Sequence, residues 1–366
     1  MGLGQGSLEN LEMNPAFWRG KRVLVTGHTG FKGGWLALWL QGLGAKVAGY
    51  SLPAPTEPSL FEIARIASGM GSVTGDVRDP AALAKAVKAA APEIIIHMAA
   101  QPIVRQSYVD PVETYATNVM GTVNVLEAAR SIAGLRAALI VTSDKCYENA
   151  DDRRFYREND GLGGSDPYSS SKACAELVTT AYRSSFFNGK SGAAVASARA
   201  GNVIGGGDWA VDRLIPDAVR AFSNGERLKL RHPQATRPWQ YVLDALCGYL
   251  LLAERLCADA PHHAEPWNFG PPNDSVMTVA DVATAVAKKW GNNAAWEKDG
   301  PAGPHEAPYL GVDAGKARAR LGWKPRLEIA EAIDWTVDWY RAWRDGADMR
   351  RFSEAQIERY SSAAKP

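Results

Sequence analysis

Short, almost unbroken apolar runs recur along the first two hundred residues, at 21–26, 45–51, 72–74, 93–97, 138–142 and 193–198. Between them lie longer segments of a different rhythm. Residues 34–40 place Trp35 and Trp39 four apart, and 80–90 and 118–133 are Ala-rich. Runs without polar alternation predict strands covered on both faces, and the intervening segments predict helices. Strand and helix in regular succession predict an α/β fold, a Rossmann-type doubly wound parallel sheet.

Beyond about residue 199 the pattern breaks. Residues 201–207 form a glycine loop, 231–239 carry two prolines, and 257–275 and 291–312 are loop-rich. Late helices are expected at 279–290 and 329–343. This reads as a smaller mixed α/β C-terminal lobe set against the carboxyl ends of the strands, where α/β folds bind ligands. The expected division is a nucleotide-binding domain of 13–198 plus about 238–260, and a second lobe of 199–237 plus about 261–350. Residues 1–12 and 351–366 are read as tails.

Composition narrows the partners. With 41 basic and 40 acidic residues the formal charge is +1, so neither nucleic acid nor a membrane surface is an expected partner. The four cysteines, Cys146, Cys174, Cys247 and Cys257, show no CxxC spacing. Reduced thiols and no metal site are expected. No apolar run has transmembrane length and no secretory signal is visible, so the reading is a soluble cytoplasmic protein.

The chemistry begins at the first strand-to-helix turn. Gly27, Gly30 and Gly33 form GxxGxxG there. The first allows a tight turn, the second lets backbone approach a pyrophosphate, and the third lets helix and strand pack closely. Residues 49–52 hold neither an acid for a ribose nor an arginine for a 2′-phosphate, so spacing leaves NAD and NADP open. Asp76 of Gly75-Asp76-Val77 could meet an adenine amino group or be a solvated turn residue. Ala99 and Ala100 would let a cofactor lie along the backbone, and His97 is expected to pack rather than bind metal.

Ser143, Asp144 and Lys145 follow the fifth strand. A hydroxyl, a carboxyl and an amine could polarise a carbonyl, donate a proton and abstract one; a plain strand-capping turn is the alternative. Tyr168 and Lys172 tip that balance. They lie four apart in a helix expected from about residue 165, on one face, where an ammonium would favour a phenolate. Asn202 and Arg237 are hydroxyl and anion handles in the second lobe.

Thr26-Gly27-His28-Thr29-Gly30-Phe31-Lys32-Gly33, His97-Met98-Ala99-Ala100, Thr142-Ser143-Asp144-Lys145, Tyr168-Ser169-Ser170-Ser171-Lys172 and Ala198-Arg199-Ala200-Gly201-Asn202 together resemble the extended short-chain dehydrogenase/reductase family. The match runs from about residue 17 to 345. The stretch from Phe17 to Gly33, Ala100 to Tyr108, and Gly206-Gly207-Asp208-Trp209 are similar to the subgroup of its 4,6-dehydratases acting on CDP-glucose.

The resemblance implies tightly held NAD, with Gly27, Thr29, Gly30, Phe31, Lys32 and Gly33 at the cofactor. Ser51, Asp76, Val77, Ala99, Ala100 and Asn118 would complete that site, together with Tyr168 and Lys172. Asn118 would also support active-site waters and strand geometry. Gln101, Asn202, Arg213, Leu214, Arg231 and Arg237 would face the nucleotide sugar. The implied reaction is redox-neutral. Tyr168 takes the C4 hydroxyl proton as hydride leaves C4, Lys172 holds the ribose and lowers the Tyr168 pKa, and Ser143 bonds the C4 oxygen. A base then removes the C5 proton, Asp144 helps the C6 hydroxyl depart as water, and hydride returns to C6. The product would be CDP-4-keto-6-deoxyglucose, a precursor of deoxysugars for bacterial surface polysaccharides such as the O-antigen of lipopolysaccharide.

The wider family carries Thr-Asp-Glu where this chain has Ser143-Asp144-Lys145, and the CDP-glucose subgroup is similar in carrying Lys. As the C5 base, Lys145 must be neutral, well below its ordinary pKa of about 10.4. If charged, it would stabilise an enolate instead. A nucleotide-sugar 4-epimerase is the rival reaction, although it does not need Asp144 and Lys145. A non-catalytic nucleotide-sensing protein of the same fold is the other alternative. The resemblance also implies a homodimer or dimer of dimers, paired through the helices at 118–133 and 168–182.

Overall fold

The computed structural model describes residues 13–149, 153–188, 192–272, 275–299 and 309–362. Its centre is a seven-stranded, all-parallel sheet. The strands are β1 (Arg22–Thr26), β2 (Lys46–Ser51), β3 (Gly71–Thr74), β4 (Ile94–His97), β5 (Ala137–Val141), β6 (Ala194–Ala200) and β7 (Pro266–Phe269). Their order is β7-β6-β5-β4-β1-β2-β3, with parallel pairing throughout. The chain reverses its direction of travel between β1 and β4, which opens a crevice at their carboxyl ends.

The unbroken apolar runs have the expected consequence. Val23, Val25, Ile94 and Ile96 point to one face, against Trp35, Leu36 and Trp39 of the helix Phe31–Gly42. Leu24 and Ile95 point to the other, against Leu83 and Val87 of Pro80–Ala90 and Val125 and Leu126 of Gly121–Arg130. Both faces are dry, so the strands have no polar side to display. The helix Val242–Ala258 covers the first face beside Phe31–Gly42.

Short ladders build the second lobe over the carboxyl ends. Inside the expected glycine loop, Val203–Ile204 pairs with Gln240–Tyr241. Thr236–Arg237 pairs with Met277–Thr278, and Leu228–Leu230 with Trp296–Lys298. The helices Val279–Trp290 and Ile329–Arg344 lie where the sequence places them.

Two assignments need correction. Residues 266–269, expected in the second lobe, hydrogen-bond to β6 as an edge strand of the main sheet. A four-residue strand that opens on proline leaves no apolar run to read. Residues 351–362, read as tail, belong to the helix Met349–Ser362. It is strongly polar, yet Met349, Ile357 and Tyr360 are buried. The Tyr360 ring meets Trp39 edge-on at 5.6 Å, and its hydroxyl donates to Asp244 Oδ1 at 2.8 Å. Residues 1–12 and 363–366 lie outside the described residues.

Candidate active site

A cleft of about 550 Å³ lies at the carboxyl ends of the strands, between sheet and second lobe. Its floor is the glycine turn. Gly27 has φ +76°, and a Cβ there would sit 2.7 Å from the Ala99 backbone nitrogen. A Cβ on Gly33 would come within 2.1 Å of the Gly27 carbonyl oxygen. Both positions exclude side chains, the first for the turn and the second for helix-on-strand packing. Gly30 begins the helix Phe31–Gly42 with no side-chain cap, so the helix N-terminus opens on the cleft with unpaired N–H donors. This cradle fits a dinucleotide pyrophosphate.

On the β2 side, Thr29 Oγ1 and Ser51 Oγ are 2.8 Å apart, and Thr29 also donates to the Leu52 carbonyl. Asp76 lines the wall with its carboxylate held by Arg78, whose hydrogen bonds keep it below the usual carboxylate range. Val77, Ala99, Ala100, Phe31 and Lys32 line the same cleft. Burial, with Arg213 and Lys172 nearby, lowers the Lys32 ammonium to about 7 against the pull of Asp144. His97 is the packing residue expected: Thr26 bonds its Nδ1 at 2.7 Å, Thr122 its Nε2 at 3.3 Å, and burial lowers its pKa to about 3.

The chemical end is compact. Past β5, Ser143 caps a short 3₁₀ turn, Asp144–Cys146, and accepts from the Lys145 N–H at 3.2 Å. Its hydroxyl donates to Asp144 Oδ1 at 3.0 Å. Asp144 is 4% exposed, and its Oδ2 has no hydrogen-bond partner. Burial raises the Asp144 pKa, while Lys145, the Ser143 bond, Arg237 and Lys32 pull it back. A buried carboxyl biased towards its protonated form suits a proton donor.

Tyr168 and Lys172 face this group from the helix Pro167–Phe186, which Asp166 caps through the Ser169 N–H. The spacing of Tyr168 and Lys172 predicts a phenol with a lowered pKa. Instead burial pushes Tyr168 up to about 12, against a hydrogen bond with Ser143 and the Arg213 charge. Lys172 falls to about 8 through burial and remains largely protonated at neutral pH. Burial of the ring outweighs its cationic neighbours in the ligand-free chain.

The second lobe brings Asn202, Arg213, Leu214, Arg231 and Arg237 to the cleft. All three of these arginines are engaged: Arg231 with Asp212 at 2.6 Å, Arg213 with Asp208 at 3.6 Å, and Arg237 with the Thr236 carbonyl at 2.9 Å. Arg105 also meets Asp212, at 3.1 Å. Sequence reading missed Asp212 and Arg105. The Arg-rich surroundings of Asp212 were the one available sign of a charge network.

Two expected site residues stand outside the cleft wall. The Gln101 side chain donates to Thr114 Oγ1 at 2.8 Å and accepts from the Ile103 N–H at 2.6 Å. Asn118 is buried, exchanging hydrogen bonds with the Gln101 backbone and donating to Ser171 Oγ at 2.9 Å. Together they brace the loop after β4 against the helix that carries Tyr168. Among the described residues no cluster of His, Cys, Asp or Glu could hold a metal ion.

Residues 24–336 match the GDP-mannose 4,6-dehydratase family. A CDP-glucose 4,6-dehydratase of Salmonella typhimurium is 51% identical over 351 residues, 95% of this chain and 98% of that protein. A dTDP-glucose 4,6-dehydratase of Streptomyces venezuelae, solved with NAD bound, has TM-score 0.76 at 25% identity, covering 90% of this chain and 99% of that one. A UDP-glucose 4-epimerase of Thermotoga maritima has TM-score 0.78 at 20% identity over 88% of this chain and 99% of that one, a likeness of fold alone.

Proposed function

The chain belongs to the GDP-mannose 4,6-dehydratase family within the extended short-chain dehydrogenase/reductases, and on that premise we propose that it converts CDP-D-glucose to CDP-4-keto-6-deoxy-D-glucose. The carrying observation is the presence of Ser143, Asp144 and Lys145 together with Tyr168 and Lys172 in one cleft. An epimerase has no use for the carboxyl and amine of that set. Half the sequence is shared with a CDP-glucose 4,6-dehydratase across almost its whole length, which supports CDP-glucose as substrate.

The cofactor is NAD, held by the cradle of Gly27, Gly30 and Gly33, with Thr29 and Ser51 beside it. Bound there, its nicotinamide supplies hydride exchange, out from C4 and back at C6. Tyr168 accepts the C4 hydroxyl proton, and Lys172 supplies positive charge that favours its phenolate. Ser143 bonds the C4 oxygen. The 4-keto group acidifies the C5 proton, which Lys145 removes, and Asp144 protonates the departing C6 hydroxyl. Asn202 and Arg237 receive the diphosphate, and Leu214 and Arg231 the base. Arg213, paired with Asp208, stands at the same wall.

The four free cysteines fit a cytoplasmic enzyme, and no helix among the described residues is long and apolar enough to cross a membrane. Met120 and Leu177 are large apolar side chains left exposed on the two helices that flank the site. They support pairing of two copies through that face.

The test is a product assay with CDP-, UDP-, dTDP- and GDP-glucose, read by mass and by the ultraviolet absorbance of a 4-keto-6-deoxy sugar in alkali. Loss of one water from CDP-glucose alone is expected. An isobaric product would make the enzyme an epimerase, and water lost from a different nucleotide sugar would reassign the substrate.

A further inference from the structure

The carboxyl end of β2 is where a dinucleotide site meets the adenosine ribose. A carboxylate there ordinarily takes the 2′-hydroxyl of NAD, and an arginine nearby takes the 2′-phosphate of NADP. This chain ends β2 on Ser51, with neither group beside it. Residue types leave the choice of cofactor open, and the direction of two hydroxyl protons decides it. Thr29 Oγ1 donates to the Leu52 carbonyl at 2.9 Å. A threonine has one O–H, so in the 2.8 Å contact between Thr29 Oγ1 and Ser51 Oγ the donor is Ser51. The two buried hydroxyls form a one-way chain, Ser51 to Thr29 to Leu52, with both protons turned into the protein. Ser51 Oγ keeps its lone pairs, and among the described residues no donor reaches them.

The wall beyond Ser51 is equally poor in donors and in positive charge. Pro53 and Pro55 line it and have no N–H. No Lys, Arg or His occurs between Lys46 and Arg65, and Arg65 is paired with Asp348 at 2.8 Å. Arg78, past β3, bonds Asp76 at 2.8 Å and lies 3.6 Å from Glu113. His28, beneath the glycine turn, spends Nε2 on Ser72 at 2.8 Å, and burial lowers its pKa to about 4, so it adds no charge near neutral pH.

We propose that Ser51, oriented by Thr29, selects NAD against NADP by offering the adenosine ribose an acceptor alone. A 2′-hydroxyl has a proton to give and bonds Ser51 Oγ. A 2′-phosphate is largely dianionic at neutral pH and has only acceptors. It would meet lone pairs, with no cation to offset its charge. Reversing the hydroxyl chain brings no relief, because it strips the Leu52 carbonyl of its donor. Ser51 is thus a specificity residue and Thr29 a positioning residue. This selection rests on the glycine cradle as the NAD site and is independent of the sugar.

The experiment is calorimetric titration of the full chain, freed of cofactor, with NAD, NADP and 2′-deoxy-NAD. Wild type is expected to bind NAD roughly a hundredfold more tightly than NADP, and about fivefold more tightly than 2′-deoxy-NAD. Ser51→Ala should bind NAD and 2′-deoxy-NAD alike, because the missing serine oxygen and the missing ligand hydroxyl remove the same bond. Thr29→Val frees the Ser51 proton to turn outward and should tighten NADP by about tenfold relative to NAD. Thr29→Ser restores the inward proton and the wild-type ratio. If Thr29→Val does not fold, judged by circular dichroism, Thr29→Ala removes the same hydroxyl. Equal binding of NAD and 2′-deoxy-NAD by wild type, or an unchanged ratio of NAD to NADP in Thr29→Val, would overturn selection by Ser51. A wild type that binds neither NAD nor NADP would overturn the cradle as a cofactor site. Normal titrations beside a failed product assay would overturn the substrate reading and leave this selection standing.

Discussion

Glu176 and Arg199 form an ion pair at 2.8 Å, both shut off from solvent, directly beneath the catalytic end of the cleft. Glu176 also accepts from Thr142 and Ser197, and Arg199 donates to the Tyr147 hydroxyl and the Glu158 carbonyl. Thr142 adjoins Ser143, and Glu176 follows Lys172 by one helical turn. The pair thus locks the end of β5 to the helix that carries Tyr168. Glu176→Gln leaves Arg199 buried without its counter-charge, and an expected loss of about 3–5 kcal/mol follows. Denaturant unfolding measures it; a change within about 0.5 kcal/mol, the range of ordinary surface substitutions, would contradict this account.

His97 sets an acid limit on stability. Its folded pKa, about 3, lies below the ordinary 6.5 because burial disfavours the imidazolium. The unfolded chain therefore binds the proton more readily. Stability from this residue is complete above pH 6.5 and is lost as pH falls towards 3, on the order of 5 kcal/mol in all. His97→Gln should flatten this limb of the stability-against-pH curve. A mutant curve parallel to wild type from pH 6.5 to 4 would show that His97 does not govern it.

Gly27→Ala should lose NAD. Its φ of +76° and a Cβ 2.7 Å from the Ala99 nitrogen force the turn to move. The strain is about 1–3 kcal/mol, and the displaced backbone belongs to the pyrophosphate cradle. Calorimetric titration with NAD checks the binding, and thermal unfolding checks the strain. Wild-type affinity in this variant would separate the turn from cofactor binding.

Lys145→Ala should retain NAD and lose dehydration by at least about a hundredfold. Lys145 sits on the 3₁₀ turn past β5, whereas the pyrophosphate cradle follows β1, two strands away in the sheet. Cofactor titration and the product assay read the two effects separately. Dehydration at the wild-type rate would remove Lys145 from the mechanism.

The local code of the chain determined the strands β1 to β6, the helices Phe31–Gly42, Pro80–Ala90 and Val279–Trp290, and the roles of Gly27 and Gly33. Each depends on neighbours within one or two turns, so period and residue type carry it directly. The convergence of Ser143, Asp144, Lys145, Tyr168 and Lys172 on one cleft was legible too, because a strand end and a helix face determine where such side chains emerge. Tertiary structure alone decided what surrounds them. Gln101 and Asn118 turn inward because Thr114, Ile103 and Ser171 offer partners there. Pro266–Phe269 becomes a strand because β6 presents a free edge, and Met349–Ser362 becomes a helix because Trp39 and Asp244 accept Tyr360. Burial pushes Tyr168 to about 12, which spacing from Lys172 could not reveal. Desolvation and long-range pairing depend on residues far apart in the chain, and those leave no period in the sequence.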